Sequence, residues 1–401
     1  MTDQPFAPAL SVPVTRRLLL SGVALNGAAL ALSGSGMAQT ASPDGFQVIR
    51  AGAPGPTLRL KRGEEVRVRL VNDTAEPAAI HWHGVRLQSG MDGVPGLTQA
   101  PVAPGASFDY RFAPPDAGTF WYRPATSLSG QRMRGPTGAL VVSESAPVET
   151  DREAVLLVNE IPNAETAGRL AVQTHQRLRF RIINAMASPL PLRLDKHRAV
   201  VMAIDGQPAE PFAARDGRIT LGSGNRIDLF VDATLNAGDT AALLVETAEG
   251  DMPLLRLVYE RAPARPAPLA ALKSLPANPL PERMDFRGAL RVDVPIETNS
   301  LGPTLGSTLG PGVGRSAPLF QAKRGRTVML ALANKTAALQ MVHLHGHSAR
   351  LLDKLDDGWK PFWLDTVVAP PQDIARIAFV ADNPGKWLIE SQTAAAWFEV
   401  I

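Results

Sequence analysis

The 401-residue chain contains no cysteine, so no disulfide can staple it and no thiolate is available as a metal ligand. It has no excess of charge either: 41 Lys and Arg stand against 38 Asp and Glu, for a net of +3. That balance lacks the basic footprint of a nucleic-acid binder and leaves the charges to be read as a solvated surface. Past the first forty residues no apolar run is long enough to cross a membrane, and no stretch has the period of a long amphipathic helix. What is abundant is Gly, at 34, and Pro, at 35, the residues that many turns require.

The N-terminus carries Thr15-Arg16-Arg17-Leu18-Leu19-Leu20 and then an Ala/Gly/Ser-rich run. Residues 1–38 are expected to be a twin-arginine export signal, cleaved after Gly36-Met37-Ala38. Asn26 and the small residues around it make a poor spanning helix, so an uncleaved anchor is the weaker reading. The expectation is a periplasmic protein, beginning near Gln39, with no integral membrane segment after cleavage.

Counting reveals a repeat. Gly63 of Lys61-Arg62-Gly63 precedes His81 by 18 residues, and Gly325 of Lys323-Arg324-Gly325 precedes His343 by the same 18. The runs EVRVRLVN and TVMLALAN lie between, each placing an Asn nine residues after the Gly, at Asn72 and Asn334. A third copy, HQRLRFRIIN, ends at Asn184, but nine residues further on it has Arg193, with Asp195 two beyond. Three homologous units follow, of which only the outer two carry histidines at that place. Their alternation has period two, so the expected fold is all-β: three β-sandwich domains at 44–146, 150–260 and 284–401. A Pro-rich linker at 261–283 lets the third domain fold back onto the first. The Gly-rich stretch at 300–315 reads as a mobile loop.

The histidines form two His-x-His motifs, IHWHG with His81 and His83 and VHLHGH with His343, His345 and His347. On a strand, residues i and i+2 share a face, so each motif presents two imidazoles to one side. That is metal-ligand geometry. His347 falls outside the pattern and is expected near the site or at the surface; His175 and His197, in the middle unit, are read as ordinary residues. Trp82, Trp121 and Trp387 are read as core.

The pieces GPTLRLKRGEEVRVRLVN, IHWHG, MDGVPGLTQAPVAPG, GTFWY, GALVV, VHLHGH, DTVVAPP and VADNPGKW, in that order, make the chain resemble the multicopper oxidases of the laccase type. The resemblance covers essentially all of the sequence after the leader and implies three cupredoxin-like Greek-key β-sandwich domains. It also implies ten histidines and one cysteine holding four coppers, in clusters HxH, HxH, HxxHxH and HCHxxxH. Here the first cluster is intact as His81 and His83, whereas Arg123 and Ala125 stand at the second cluster's histidine positions. The third keeps His343 and His345 but has Gln340 where a type 1 copper ligand should be. The fourth reads Glu390, Ser391 and Gln392, with Ala396 at its last histidine position.

The resemblance therefore implies that no type 1 copper forms, since its Cys and two His positions hold Ser391, Gln340 and Ala396. Of the six type 3 histidines only His83 and His345 remain, so laccase-type four-electron oxygen reduction is expected to be lost. Both type 2 ligands, His81 and His343, are kept. The expected cofactor is one copper at a type 2-like site between domains 1 and 3, held by all four imidazoles or by three and a water, with zinc as the other ion imidazole suits. Arg123 lies five residues after Gly118 and Glu390 five after Gly385, so the two are expected to meet as a charge pair where copper has been lost. A rival reading makes Glu390 a carboxylate ligand and Gln392 a weak one. Asp92 matches an acidic position beside the family's cluster and is expected either to orient a histidine or a bound water, or simply to begin a tight turn before Gly93. The methionines are too scattered for a copper-storage tract. Three functions remain open: a mononuclear copper protein, a redirected mononuclear oxidoreductase, or, as the resemblance to copper-free relatives implies, a metal-free periplasmic scaffold (a pseudoenzyme) of the cell-division and envelope-support type. The substrate is unknown.

Overall fold

The computed structural model describes residues 30–32, 44–127, 131–260, 262–297, 300–301, 317–352, 359–392 and 394–401. Most of the expected leader and nearly all of the Gly-rich stretch at 300–315 lie outside these residues. Among the described residues the regular structure is strand, interrupted by two single-turn 3-10 helices, and no helix is long and apolar enough to cross a membrane.

The strands form three pairs of sheets. In the first unit, Gln47–Arg50, Val66–Val71 and Ser107–Phe112 make a three-stranded sheet against a four-stranded one of Leu58–Lys61, Gly138–Ser143, Gly118–Pro124 and Ile80–His83. The middle unit pairs two five-stranded sheets, one of them extended at its edge by Leu30–Leu32 of the expected leader, which runs antiparallel to Arg152–Val158; the third unit pairs a six-stranded sheet with a five-stranded one. Val66–Val71 alternates buried and half-buried, as a strand with one core face should. Ile80–His83 and Gln340–Leu344 are buried at every residue. One face of each enters a sandwich core, through Ile80 and Trp82 or through Val342 and Leu344, and the other is closed by the neighbouring unit. The apolar side chains of the first and third units form one continuous cluster, whereas the middle unit has its own.

The three copies of the repeat share a hydrogen-bond device. The Asn72 amide donates to Glu76 O and Val102 O while its Oδ1 accepts from Thr74 N–H. Asn184 does the same with Ser188 O, Leu221 O and Met186 N–H, and Asn334 with Ala338 O, Ala369 O and Thr336 N–H. The turn nine residues earlier needs a left-handed backbone, supplied by Gly63 and Gly325 at φ +80° and +83°. In the middle unit His175 takes it, at φ +69°.

The Pro-rich stretch is extended but not loose. Arg265 pairs with Asp151, Arg177 donates to Ala270 O, and Leu275 is buried beside Met202 and Phe230. Asn278 holds both the N–H and the C=O of Ala117 and also donates to Gln207. Residues 262–283 form a strap bound to the first two units.

Candidate metal centre

His81 and His343 sit on strands whose nearest neighbours carry the unexpected residues. Within the first unit His81 is directly opposite Arg123, and within the third His343 is directly opposite Glu390. Directly opposed residues in an antiparallel pair share a face, so both substitutions project into the space the histidines line. There Arg123 Nη2 donates to Glu390 Oε1 across the interface between the outer units, with both residues less than a tenth exposed.

The four imidazoles are at most 4% exposed and stack in two pairs, His81 on His345 with ring centroids 3.8 Å apart and His83 on His343 at 3.6 Å. Their tautomers follow from their partners. His81 Nδ1 faces Asp92 O at 3.0 Å and Asp92 Oδ1 at 3.2 Å; these can only accept, so Nδ1 carries the proton. His343 Nδ1 faces Asp365 O at 3.1 Å and Asp365 Oδ1 at 3.3 Å, with the same consequence. His345 Nδ1 donates to Asp92 Oδ2 at 2.8 Å. In all three rings the bare lone pair is therefore on Nε2. The Nε2 atoms of His81 and His343 are 3.0 Å apart, and His81, His343 and His345 can each bring one ligand nitrogen within 4.8 Å of the others. Two lone pairs at that distance repel unless a cation, a metal or a proton, lies between them. Burial draws His343 down to about 4 and His345 well below the usual histidine range, with neighbouring imidazoles adding to the effect on both. A proton is thereby disfavoured on His343 and His345 at neutral pH.

His83 is arranged differently. Its Nδ1 accepts from Arg123 Nε–H at 3.2 Å, so its proton is on Nε2 and is donated to Thr366 Oγ1 at 2.9 Å. A second group of metal-capable atoms, on His83, His343 and Asp365, fits an ion poorly. The Thr366 hydroxyl already lies 2.9 Å from His83 Nε2, 3.1 Å from His343 Nδ1 and 2.8 Å from Asp365 Oδ1, donating to the last.

Asp92 is fully buried, and although burial would raise its pKa, the imidazoles of His345 and His81 hold it well below the carboxylate range. It orients two histidines at once, the kind of outer hydrogen bond that fixes a ligand's tautomer. Asp92 also ends the single-turn helix Ser89–Met91, and the Gly93 that follows has φ +87°, where a Cβ would fall 1.8 Å from Ile80 O.

The other expected positions serve the fold. Ala125 is buried and its N–H donates to Ala79 O. Gln340 Nε2 donates to Thr336 Oγ1, while its Oε1 is buried with no protein partner. Ser391 closes a turn with Ala394. Gln392 is exposed; its amide donates to Ala187 O and its Oε1 accepts from Met341 N–H. Ala396 is half-buried opposite Ile389. Glu390 Oε1 is 3.4 Å from His345 Nε2 but is engaged by Arg123. His347 is neither at the surface nor in the centre. The strand ends at Leu344, Gly346 turns the chain at φ +66°, and the ring packs among Phe379, Trp387 and Phe398.

Sequence reading overlooked Asp365, Thr366 and the middle unit's Arg226. The only signal was the DTVV of the third unit, which marks Asp365 without saying what it holds.

Comparison with known proteins agrees with this architecture. Residues 37–147, 116–250 and 295–399 each match a family profile described as multicopper oxidase. The chain is 28% identical to the multicopper oxidase MmcO of Mycobacterium tuberculosis, across 84% of this chain and 78% of that one. It is 36% identical to copper resistance protein A of Escherichia coli over 123 residues, 30% of this chain and 20% of that one. The solved multi-copper oxidase of Pseudomonas thermotolerans superposes with a TM-score of 0.73 at 30% identity, covering 87% of this chain and 92% of that one. Lac15 from a marine microbial metagenome gives 0.74 at 28%, with 86% and 92% covered.

Proposed function

Since the chain belongs to the multicopper oxidase family, we propose that it is a member reduced to a single metal centre. One copper is held by Nε2 of His81, His343 and His345 between the outer domains, and four-electron oxygen reduction is lost. The observation that carries this is the convergence of bare lone pairs, above all the 3.0 Å between Nε2 of His81 and Nε2 of His343. At metal–nitrogen bonds of about 2.0 Å that is an ordinary separation for two ligands of one ion.

The residues fit one ion and do not fit four. At the type 1 positions Gln340, Ser391 and Ala396 supply neither thiolate nor imidazole. At the type 3 positions a guanidinium and its carboxylate take up the space, and the Arg123 charge opposes a cation beside it. Copper bound at the three histidines supplies a one-electron redox couple. The chain's own contribution is to hold the ligands in one tautomer through Asp92 and Asp365, to keep His83 committed to Arg123, and to exclude water. Any redox activity must take its electrons directly at this centre, because no type 1 site relays them. We place the protein in the periplasm, reached by the twin-arginine leader.

The same 3.0 Å also suits a proton shared between the two rings, and this favours a second reading: a metal-free scaffold that binds envelope proteins. Metal analysis with electron paramagnetic resonance, on protein exported from copper-supplemented cells, separates the two. The copper reading expects about one ion per chain with a type 2 signal, lost in the His81→Ala, His343→Ala double variant and kept in His83→Ala. Wild-type protein without metal overturns it and leaves the scaffold; zinc in place of copper keeps the site and removes the redox chemistry.

A further inference from the structure

The middle domain offers no ligand to the centre, yet one of its side chains reaches it. Arg226 is 0% exposed and lies where the three domains meet. It donates to Thr119 O of the first domain, to Asp205 O and Gly224 O of its own, and forms two parallel hydrogen bonds to Asp365 of the third, Nη1 to Oδ1 at 2.8 Å and Nη2 to Oδ2 at 2.5 Å. Asp365 is the residue whose carbonyl and Oδ1 both face His343 Nδ1. The space around Arg226 is closed: a Cβ on Gly84, the residue after His83, would lie 2.1 Å from Nη2.

We propose that Arg226 is a positioning residue for the metal centre. By clamping both carboxylate oxygens of Asp365 it holds in place the residue whose backbone carbonyl accepts from His343 Nδ1–H at 3.1 Å and whose Oδ1 anchors the Thr366 hydroxyl, the second acceptor at 3.1 Å, and so keeps the His343 lone pair on Nε2, aimed at His81. Without that clamp Asp365 and the Thr366 hydroxyl it anchors are free to shift from the ring, so that His343 moves its proton to Nε2 and donates it to His81. That exchange would restore a hydrogen bond between the two rings and close the site to metal. The docking of the middle domain and the competence of the outer ones are thereby coupled through one guanidinium. A Lys would keep the charge but not the two-pronged grip, because its ammonium is a point donor.

This rests on the single-metal reading above, so the test has one arm that needs no metal. Protein labelled with 15N in its histidines is compared as wild type, Arg226→Lys, Asp365→Asn and Arg177→Lys. Arg177→Lys is the control: that buried arginine pairs with Asp232 and the strap and does not touch the histidines. In the metal-free protein the wild-type His343 should show a protonated Nδ1 and a bare Nε2. Arg226→Lys should move it toward the other tautomer, while Arg177→Lys lowers thermal stability and leaves the His343 signal in place.

In the metal arm, Arg226→Lys and Asp365→Asn should each weaken copper binding by about 10–100-fold, the usual effect of losing an outer hydrogen-bond partner. They should change the copper spectrum in the same way, and the Arg226→Lys, Asp365→Asn double variant should be no worse than either, since both act on one chain of contacts. Wild-type protein that takes up no copper defeats the single-metal reading, and the tautomer arm still decides the role of Arg226. Arg226→Lys that loses stability yet keeps the wild-type tautomer overturns the proposal and leaves Arg226 a purely structural ion pair.

Discussion

Replacing Glu390 with Gln isolates the Arg123 guanidinium in a place that water barely reaches. Both groups are under a tenth exposed, and although burial draws Arg123 down to about 9, it remains charged at neutral pH. Two unit charges about 4 Å apart at an effective dielectric of about 20 attract by roughly 4 kcal/mol, and breaking a buried pair from one side typically costs about 3–5 kcal/mol. Unfolding entropy of about 2.1 cal/mol/K per residue, over roughly 360 residues, converts 4 kcal/mol into a fall of about 5 °C if the domains melt together. The assay is the melting temperature of metal-free Glu390→Gln beside Arg123→Met and the Arg123→Met, Glu390→Leu double variant. Removing both charges relieves the uncompensated one, so the double variant should sit within about 1 kcal/mol of wild type. A Glu390→Gln protein as stable as wild type, or a double variant as damaged as either single one, refutes the reasoning.

Other substitutions test the surrounding structure. Asp92→Asn removes the carboxylate that orients His81 and His345, and should weaken copper binding by about 10–100-fold by titration with little change in fold. His347, drawn down to about 4 by burial, binds a proton more readily when unfolded. Its neutral form therefore contributes stability at pH 6.5 that is lost as pH falls to 4, about 3 kcal/mol over the window. Denaturant unfolding of metal-free His347→Leu should show a correspondingly flatter pH dependence between those limits, and an unchanged profile contradicts this. Gly93→Ala drives a Cβ into Ile80 O at a positive φ and should cost about 2 kcal/mol or more in the same unfolding assay.

The outer pattern was legible because it is local. Two histidines two apart on a strand, an Asn nine residues after a left-handed turn, and Arg123 and Glu390 at matched distances from Gly118 and Gly385 are all countable along the chain. The meeting of Arg123 with Glu390 followed from those counts together with the family resemblance. The hidden part is long-range. Arg226 lies 139 residues from the Asp365 it holds, and nothing near either residue announces the other. His347 shows the limit of period-two reasoning: two residues past His345 it should share that residue's face, but the strand has ended and Gly346 has turned the chain. For the Pro-rich stretch, the prolines foretold an extended backbone; that Leu275 and Asn278 would anchor it depended on surfaces about 45 to 160 residues away.

That strap gives the molecule a mechanical property. Since it is held by side chains along its course, the peptide bonds within it carry little of the load that keeps the third domain against the first. A single protease cut between residues 266 and 274 should leave two fragments that elute together and separate only in denaturant.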